Sequence, residues 1–246
     1  MQDKDIFDPN FVKGVFDRCG SNYRYWSQVA SFGFVWLWRK QCIQSLPLQI
    51  NEGALIYDLM AGTGETWGLL LKRYTTLNKI VALDISATMV KNAIERLHKM
   101  RATRIEVREA DVLKQTALPA SADVMVSSFG LKTFNKEQQA RIAKYVAETL
   151  KPGGAFAFVE ASDPQGWLFR RQYRFYMCSV LPFIERLFLN GARDFAMIGD
   201  YTAAFIDCSH FASCLRNEGL IVEYRKLFFG CASAVCGRKT ATSLAV

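Results

Sequence analysis

The stretch ALIYDLMAGTGETW, residues 54–67, passes from a short apolar run into a glycine-rich turn. Ala54–Leu59 is apolar without alternation, the signature of a parallel strand buried on both faces. The turn follows at once, and helix-forming residues run from about Glu65 to Tyr74. Outward from this unit the rhythm repeats. Lys79–Asp84 is a second apolar strand, and Ser86 can cap a helix reaching Met100. Arg104–Arg108 and Ala122–Ser127 read as the third and fourth strands. Asn135 caps a helix with Ile142, Val146 and Leu150 on one stripe. Lys151-Pro152-Gly153-Gly154 stops it, and Ala155–Glu160 is the fifth strand. Strand and helix alternating at this pace predict right-handed βαβ units in a Rossmann-like, doubly wound α/β sheet. Two last strands, near 221–227 and 232–237, read as an antiparallel closing hairpin, giving seven strands in all.

The glycine turn sits where such sheets bind ligands. A dinucleotide needs G-x-G-x-x-G, and counted from Gly62 the third position is Trp67. Glu65 at the helix start would repel a pyrophosphate. Asp58 adds a second carboxylate, so open backbone amides of Ala61, Gly62, Thr63 and Gly64 flanked by acids suit a cationic ligand. A turn shaped for packing alone is the competing reading. Asp84, followed by Ile85, lies about 20 residues beyond the turn and can accept two ribose hydroxyls. Asp111 follows the third strand and can accept an adenine amino group, with Val112 supplying a backbone amide.

Composition agrees with a globular chain of 246 residues, half apolar or aromatic and 22% charged, with net charge +8. The charge permits anionic partners without specifying one. Seven cysteines and two histidines, with no C-x-x-C, leave little for a zinc site, so no metal is expected and the thiols are read as reduced. Met1–Asp5 is polar and acidic, unlike a signal peptide, and no apolar run reaches membrane-spanning length. A cytoplasmic chain, with peripheral membrane contact left open, is expected.

Residues 1–48 hold few strand signals and many aromatics, among them Tyr23, Tyr25 and Trp26, and read as a helical lid or as core packing. Residues 164–200 read as a helical insert rich in arginine and aromatics: Trp167, Phe169, Arg170, Arg171, Tyr173, Arg174, Phe175 and Tyr176. It fits either an amphipathic cover on the domain or an interfacial membrane element. The core spans 54–160, and 201–246 supplies a helix and the closing strands, all within one domain.

With these motifs in place, the chain resembles a class I S-adenosylmethionine-dependent methyltransferase. Within that class it is similar to the ubiquinone/menaquinone C-methyltransferases of the UbiE family. The resemblance rests on 58–65, on Ser128-Phe129-Gly130-Leu131, on 150–154 leading to Val159-Glu160, and on Val180-Leu181-Pro182. It implies cofactor contacts at Gly62, Thr63, Gly64, Asp84, Asp111, Val112 and Ser128. The family's Gly is replaced by Ala61. At the acceptor side its Asp, Asn and His become Arg24, Ser27 and Val35, its Arg-Asn becomes Lys132-Thr133, and a further His becomes Ser179. The cofactor half is kept and the acceptor half rewritten, so a changed substrate is expected.

Lys132, Glu160 and Tyr176 stand near strand ends as candidates for catalysis: an oxyanion-stabilising cation, a base and a hydroxyl donor. Tyr23, Tyr25, Trp26 and Thr133 are the acceptor-binding candidates. The expected partner is an apolar small molecule rather than nucleic acid, since no N/D-P-P-Y/F motif follows the fourth strand. A homodimer is left open. Methylation of nitrogen or oxygen, methylation with cyclisation, and a non-catalytic scaffold remain alternatives to carbon methylation.

Overall fold

The computed structural model describes residues 5–19, 23–114, 117–188 and 196–241. Helices α1 (Pro9–Cys19), α2 (Tyr23–Ala30) and α3 (Phe34–Gln44) precede the sheet. The core then runs β1 (Leu55–Leu59), α4 (Trp67–Arg73), β2 (Lys79–Asp84), α5 (Ala87–Met100), β3 (Ile105–Glu109), β4 (Ala122–Ser128), α6 (Lys136–Thr149) and β5 (Leu150–Ala161). Next come α7 (Arg170–Phe175), a π turn at Tyr176–Val180, α8 (Leu181–Phe188), α9 (Ala196–Phe205) and α10 (Ser209–Asn217). Strands β6 (Ile221–Leu227) and β7 (Ala232–Arg238) close the chain.

The sheet order is β3-β2-β1-β4-β5-β7-β6. Strands β3 through β5 are parallel, while β7 runs antiparallel to both β5 and β6. Chain order reverses between β1 and β4, which opens a crevice at their carboxyl ends. Helices cover both faces. Trp38 of α3 and Trp67 of α4 pack on one face, and Tyr145 of α6 and Phe211 of α10 pack on the other. The helix starts follow the sequence chemistry. Ser86 accepts from the Met89 amide, and Asn135 with Gln138 forms a reciprocal capping box.

Three boundaries differ from the sequence reading. Helix α4 starts at Trp67 rather than Glu65, because Gly62 and Gly64 adopt left-handed φ and hold 62–66 as a turn. Strand β5 starts at Leu150, which pairs with Ala122 across a register shift, so the Lys-Pro-Gly-Gly stretch is taken up in a bulged strand. The helical region around 201–217 is two helices, broken at Ile206, whose φ is 65°. Among the described residues, Cys42, Cys208, Cys214, Cys231 and Cys236 are buried and unbridged. No described helix is long and apolar enough to cross a membrane.

The antiparallel seam imposes its own constraint. Gly237 pairs with Phe156 and Val222. A Cβ there would lie 1.8 Å from the Ile221 carbonyl oxygen and 2.8 Å from the Phe156 ring. Backbone cannot give way as a side-chain tip can. Gly237→Ala is therefore expected to cost about 3 kcal/mol in urea unfolding, by overpacking. A variant as stable as the parent would contradict the close β6–β7 approach.

Candidate active site

Asp58 ends β1 with its carboxylate buried beneath the glycine turn. Its Oδ2 accepts from Thr66 Oγ1 at 2.7 Å and from Trp67 Nε1 at 3.0 Å, while Oδ1 has no partner among the described residues. Burial pushes this carboxyl up to about 7. Asp84, ending β2, accepts from the Gly62 amide at 2.8 Å and from the Ser86 amide at 2.9 Å. Burial outweighs these bonds and raises it to about 6. Gly64 is required sterically as well as conformationally, since a Cβ would meet the Trp67 ring at 2.4 Å. Ala61 keeps negative φ, so its methyl group is tolerated.

Above these acids lies a narrow cleft of about 60 Å³, roofed by Phe7, Val12 and Phe16 of the amino-terminal segment. Ala61, Gly62, Asp84, Ile85, Asp111, Val112 and Ser128 all line it, as their positions at strand ends suggested. Asp111 Oδ1 accepts from the Leu113 amide at 2.9 Å. Asp58, Thr63 and Gly64 stand behind the lining. The Thr63 hydroxyl donates to Glu65, and its carbonyl accepts from Arg96 at 3.1 Å.

The charge reading of the turn needs one correction. Glu65 is not a bare acid beside the amides. Arg96 Nη1 lies 3.6 Å from it and Arg39 Nη2 lies 3.8 Å from it. The acidic character of the site therefore rests on Asp58, Asp84 and Asp111.

Arg39 is a buried residue at the cleft that the sequence alone did not single out. It sits on the buried face of α3 with Val35, Trp38 and Cys42, and is 4% exposed. Its Nε donates to Ser128 Oγ at 3.2 Å, and its guanidinium carbon lies 5.0 Å from the Phe129 ring centroid. One signal was available: a basic residue directly after the aromatic run Phe34–Trp38, on the helical stripe that the aromatics bury.

Beyond Phe129 a second cavity opens, a chamber of about 360 Å³ walled by Trp38, Trp167, Tyr173, Tyr176, Met177 and Phe228. Arg39 and Phe129 line both cavities, so the two share a wall. Lys132 reaches the chamber floor, 6% exposed, with Nζ 5.9 Å from the Phe129 centroid and 2.6 Å from Glu160 Oε1. Glu160 is fully buried behind it. Its Oε2 accepts from the Lys132 amide at 3.1 Å, and its Oε1 also accepts from the Ala161 amide at 2.8 Å. The structure thus brings Lys132 and Glu160 together.

Tyr176 lines the wall, but its hydroxyl donates to the Ala30 carbonyl at 2.8 Å. Thr133 lines the cleft rather than the chamber and donates to the Gly130 carbonyl at 2.8 Å. Tyr23, Tyr25 and Trp26 fall on α2, and their side chains lie outside the described residues. No cluster of three or more metal-binding side chains occurs among the described residues.

Comparison with known proteins follows the same lines. The model of the ubiE/COQ5 methyltransferase family matches residues 3–239. A demethylmenaquinone methyltransferase of Lactiplantibacillus plantarum is 28% identical over 94% of this chain and 96% of its own length. The ubiquinone/menaquinone biosynthesis C-methyltransferase UbiE of Methylococcus capsulatus is 28% identical over 78% of this chain and 76% of its own. Among solved structures, an O-methyltransferase family protein from Burkholderia thailandensis superposes with TM-score 0.64 at 16% identity, covering 96% of this chain. Human N-acetylserotonin methyltransferase, in complex with S-adenosylmethionine, superposes with TM-score 0.58 at 20% identity over 89% of this chain. This chain spans less than two thirds of those two solved chains, 64% and 58%. At such identities the superpositions speak for the fold. The family match spans nearly the whole sequence and its relatives share one chemistry, so the chain belongs to the ubiE/COQ5 methyltransferase family of S-adenosylmethionine-dependent enzymes.

Proposed function

We propose that the cleft holds S-adenosylmethionine and that the chamber holds an apolar aromatic, quinone-like acceptor methylated on carbon. The observation that carries this reading is the shared wall. A cleft edged by buried acids meets an apolar chamber at Phe129 and Arg39. The residues present fit the cofactor. Asp84 sits where a ribose would, and the unpartnered Asp58 Oδ1 favours a ligand carrying positive charge. When bound, S-adenosylmethionine supplies a methyl group on a sulfonium, whose displacement releases a neutral thioether and needs little acid assistance.

The remaining work falls to the chamber. Its two charged liners, Arg39 and Lys132, are both cations. They suit an acceptor whose ring carbon is activated by a neighbouring anionic oxygen. Lys132 stabilises that oxygen, and the proton of the methylated carbon is lost to solvent as the ring regains aromaticity. Glu160, with both oxygens engaged, is a positioning residue that orients the ammonium. Tyr176 braces the wall through Ala30. The aromatic walls exclude water and hold the ring near the shared wall. Helices α1 to α3 serve as the lid over the two cavities, within one domain. The names of the relatives support the acceptor class, while Ser27, Val35 and Lys132, which line the chamber, alter its polar match.

Asp84→Ala is expected to weaken S-adenosylmethionine binding about 10- to 100-fold by calorimetry, the loss of a charged hydrogen bond. Unchanged affinity would remove Asp84 from the site. Affinity should also rise between about pH 5 and pH 8, as Asp84 and Asp58 lose protons near 6 and 7 and favour a cationic ligand. Stability of the unliganded chain runs the other way. Both acids sit above their unfolded values, so the folded chain holds protons that the unfolded chain releases. Stability therefore falls as pH rises from about 4 to 7. Asp58→Asn should flatten both trends.

Lys132→Met should cut turnover far more than cofactor affinity. Because it strands a buried Glu160, which costs about 3–5 kcal/mol, the double variant Lys132→Met with Glu160→Gln keeps the test readable. Full activity in the double variant would refute the role. A standard demethylated menaquinone precursor should turn over about 100-fold more slowly than with a family enzyme, on the scale of two unmatched polar contacts. Equal rates would assign that acceptor to this chain.

A further inference from the structure

We propose that the mouth of the chamber is a docking face for an anionic lipid bilayer, from which an apolar acceptor enters without crossing water. The docking stands on the surface itself. The route of entry rests on the acceptor reading above.

Three segments form the mouth: the α2–α3 turn, the start of the helical stretch after Asp163, and the turn between β6 and β7. Each presents phenylalanine to solvent. Phe32, Phe169, Phe228 and Phe229 are 78%, 51%, 45% and 68% exposed. They form a collar rather than scattered singles. Phe228 lies 4.3 Å from Phe34, Phe229 stacks on Trp167 at 5.5 Å, and Phe32 lies 5.7 Å from Tyr176. Phe32, Phe169 and Phe228 also line the chamber, so the collar is continuous with it.

Backbone strain gives a second, independent indication. Phe32, Phe228 and Phe229 have φ of 50°, 42° and 56°. Bulky residues disfavour this region, where glycine and asparagine rest easily. Aromatic side chains are thus held, largely exposed, at positions where a polar turn residue would relax the fold. Such strain collects where the side chain serves something outside the chain's own stability.

Charge selects the occupant. Besides the buried Arg39, residues 27–40, 164–184 and 226–230 contain Lys40, Arg170, Arg171, Arg174 and Lys226, and no aspartate or glutamate. Arg170 is paired with Asp163 at 2.6 Å, whereas Arg171, Arg174 and Lys226 are exposed. Aromatics ringed by basic residues match the interface of an anionic membrane. A second copy of this chain docked through the same face would bring like charges together.

Flotation of the full chain, without cofactor or acceptor, tests this with phosphatidylcholine vesicles and with vesicles that also contain phosphatidylglycerol. Binding should favour the anionic vesicles and fall with salt. Phe32→Asn and Phe229→Asn should each lower partitioning about tenfold while leaving the melting temperature unchanged or raised. Arg171→Ser with Arg174→Ser should erase the preference for anionic lipid. Equal partitioning into both vesicles, or asparagine variants that float like the parent, would overturn the proposal. So would a dimer in light scattering that Phe229→Asn abolishes, since the face would then belong to a second copy. Flotation is read without cofactor, so a chain that floats yet binds no S-adenosylmethionine keeps the docking face and loses the functional reading.

Discussion

The buried carboxylate of Asp58 organises the catalytic edge of this sheet. It ends β1 and takes two hydrogen bonds from the first turn of the chain beyond it, Thr66 and the Trp67 indole. Those bonds seat Trp67 under the glycine turn, where its ring leaves room at Gly64 for hydrogen and nothing larger. The turn in turn aims the Gly62 amide at Asp84 on the neighbouring strand. A charged group is thus kept in the interior by local donors. The desolvation it suffers leaves a carboxyl poised near neutrality and one oxygen without a partner. Much of the cleft follows from that single placement.

The second organising feature is the partition at Phe129. Its backbone sits at φ 64°, and its ring stands between the cations of Arg39 and Lys132. Each cation has a carboxylate beside it, Glu65 (shared with Arg96) on the cleft side and Glu160 behind the chamber floor. Two cations next to an apolar chamber would be costly without those counterions. With them, the partition presents positive potential to the chamber while its charges stay beside their counterions. Arg39 comes from α3, ahead of the sheet, so the amino-terminal helices complete the site as well as covering it.

The polar and apolar demands of the site are separated in space. Acids crowd the strand ends, where backbone amides and capping bonds hold them. The chamber is walled by rings and by Met177, with hydroxyls such as Tyr176 tied to carbonyls instead of facing inward. A wall built mainly of apolar groups imposes shape on whatever fills it, and Arg39 and Lys132 supply its charge.

The sequence by itself determined the sheet and which residues stand at its strand ends. Apolar runs of strand length, a glycine turn and cap residues are local signals, and each acts within a few residues of itself. Asp58, Gly62, Asp84, Asp111 and Ser128 gather at one edge because the parallel topology forces strand ends there. Tertiary structure alone decided what those groups meet. That Glu65 is neutralised by Arg39 and Arg96, that Glu160 stands behind Lys132 instead of facing an acceptor, and that Thr133 faces the cleft are outcomes of packing between segments far apart in the chain. Arg39 escaped the sequence reading for the same reason. A basic residue in an aromatic helix acquires its meaning from Ser128 and Glu65, 89 and 26 positions away. No local pattern encodes a contact whose partner is fixed only when the sheet has folded.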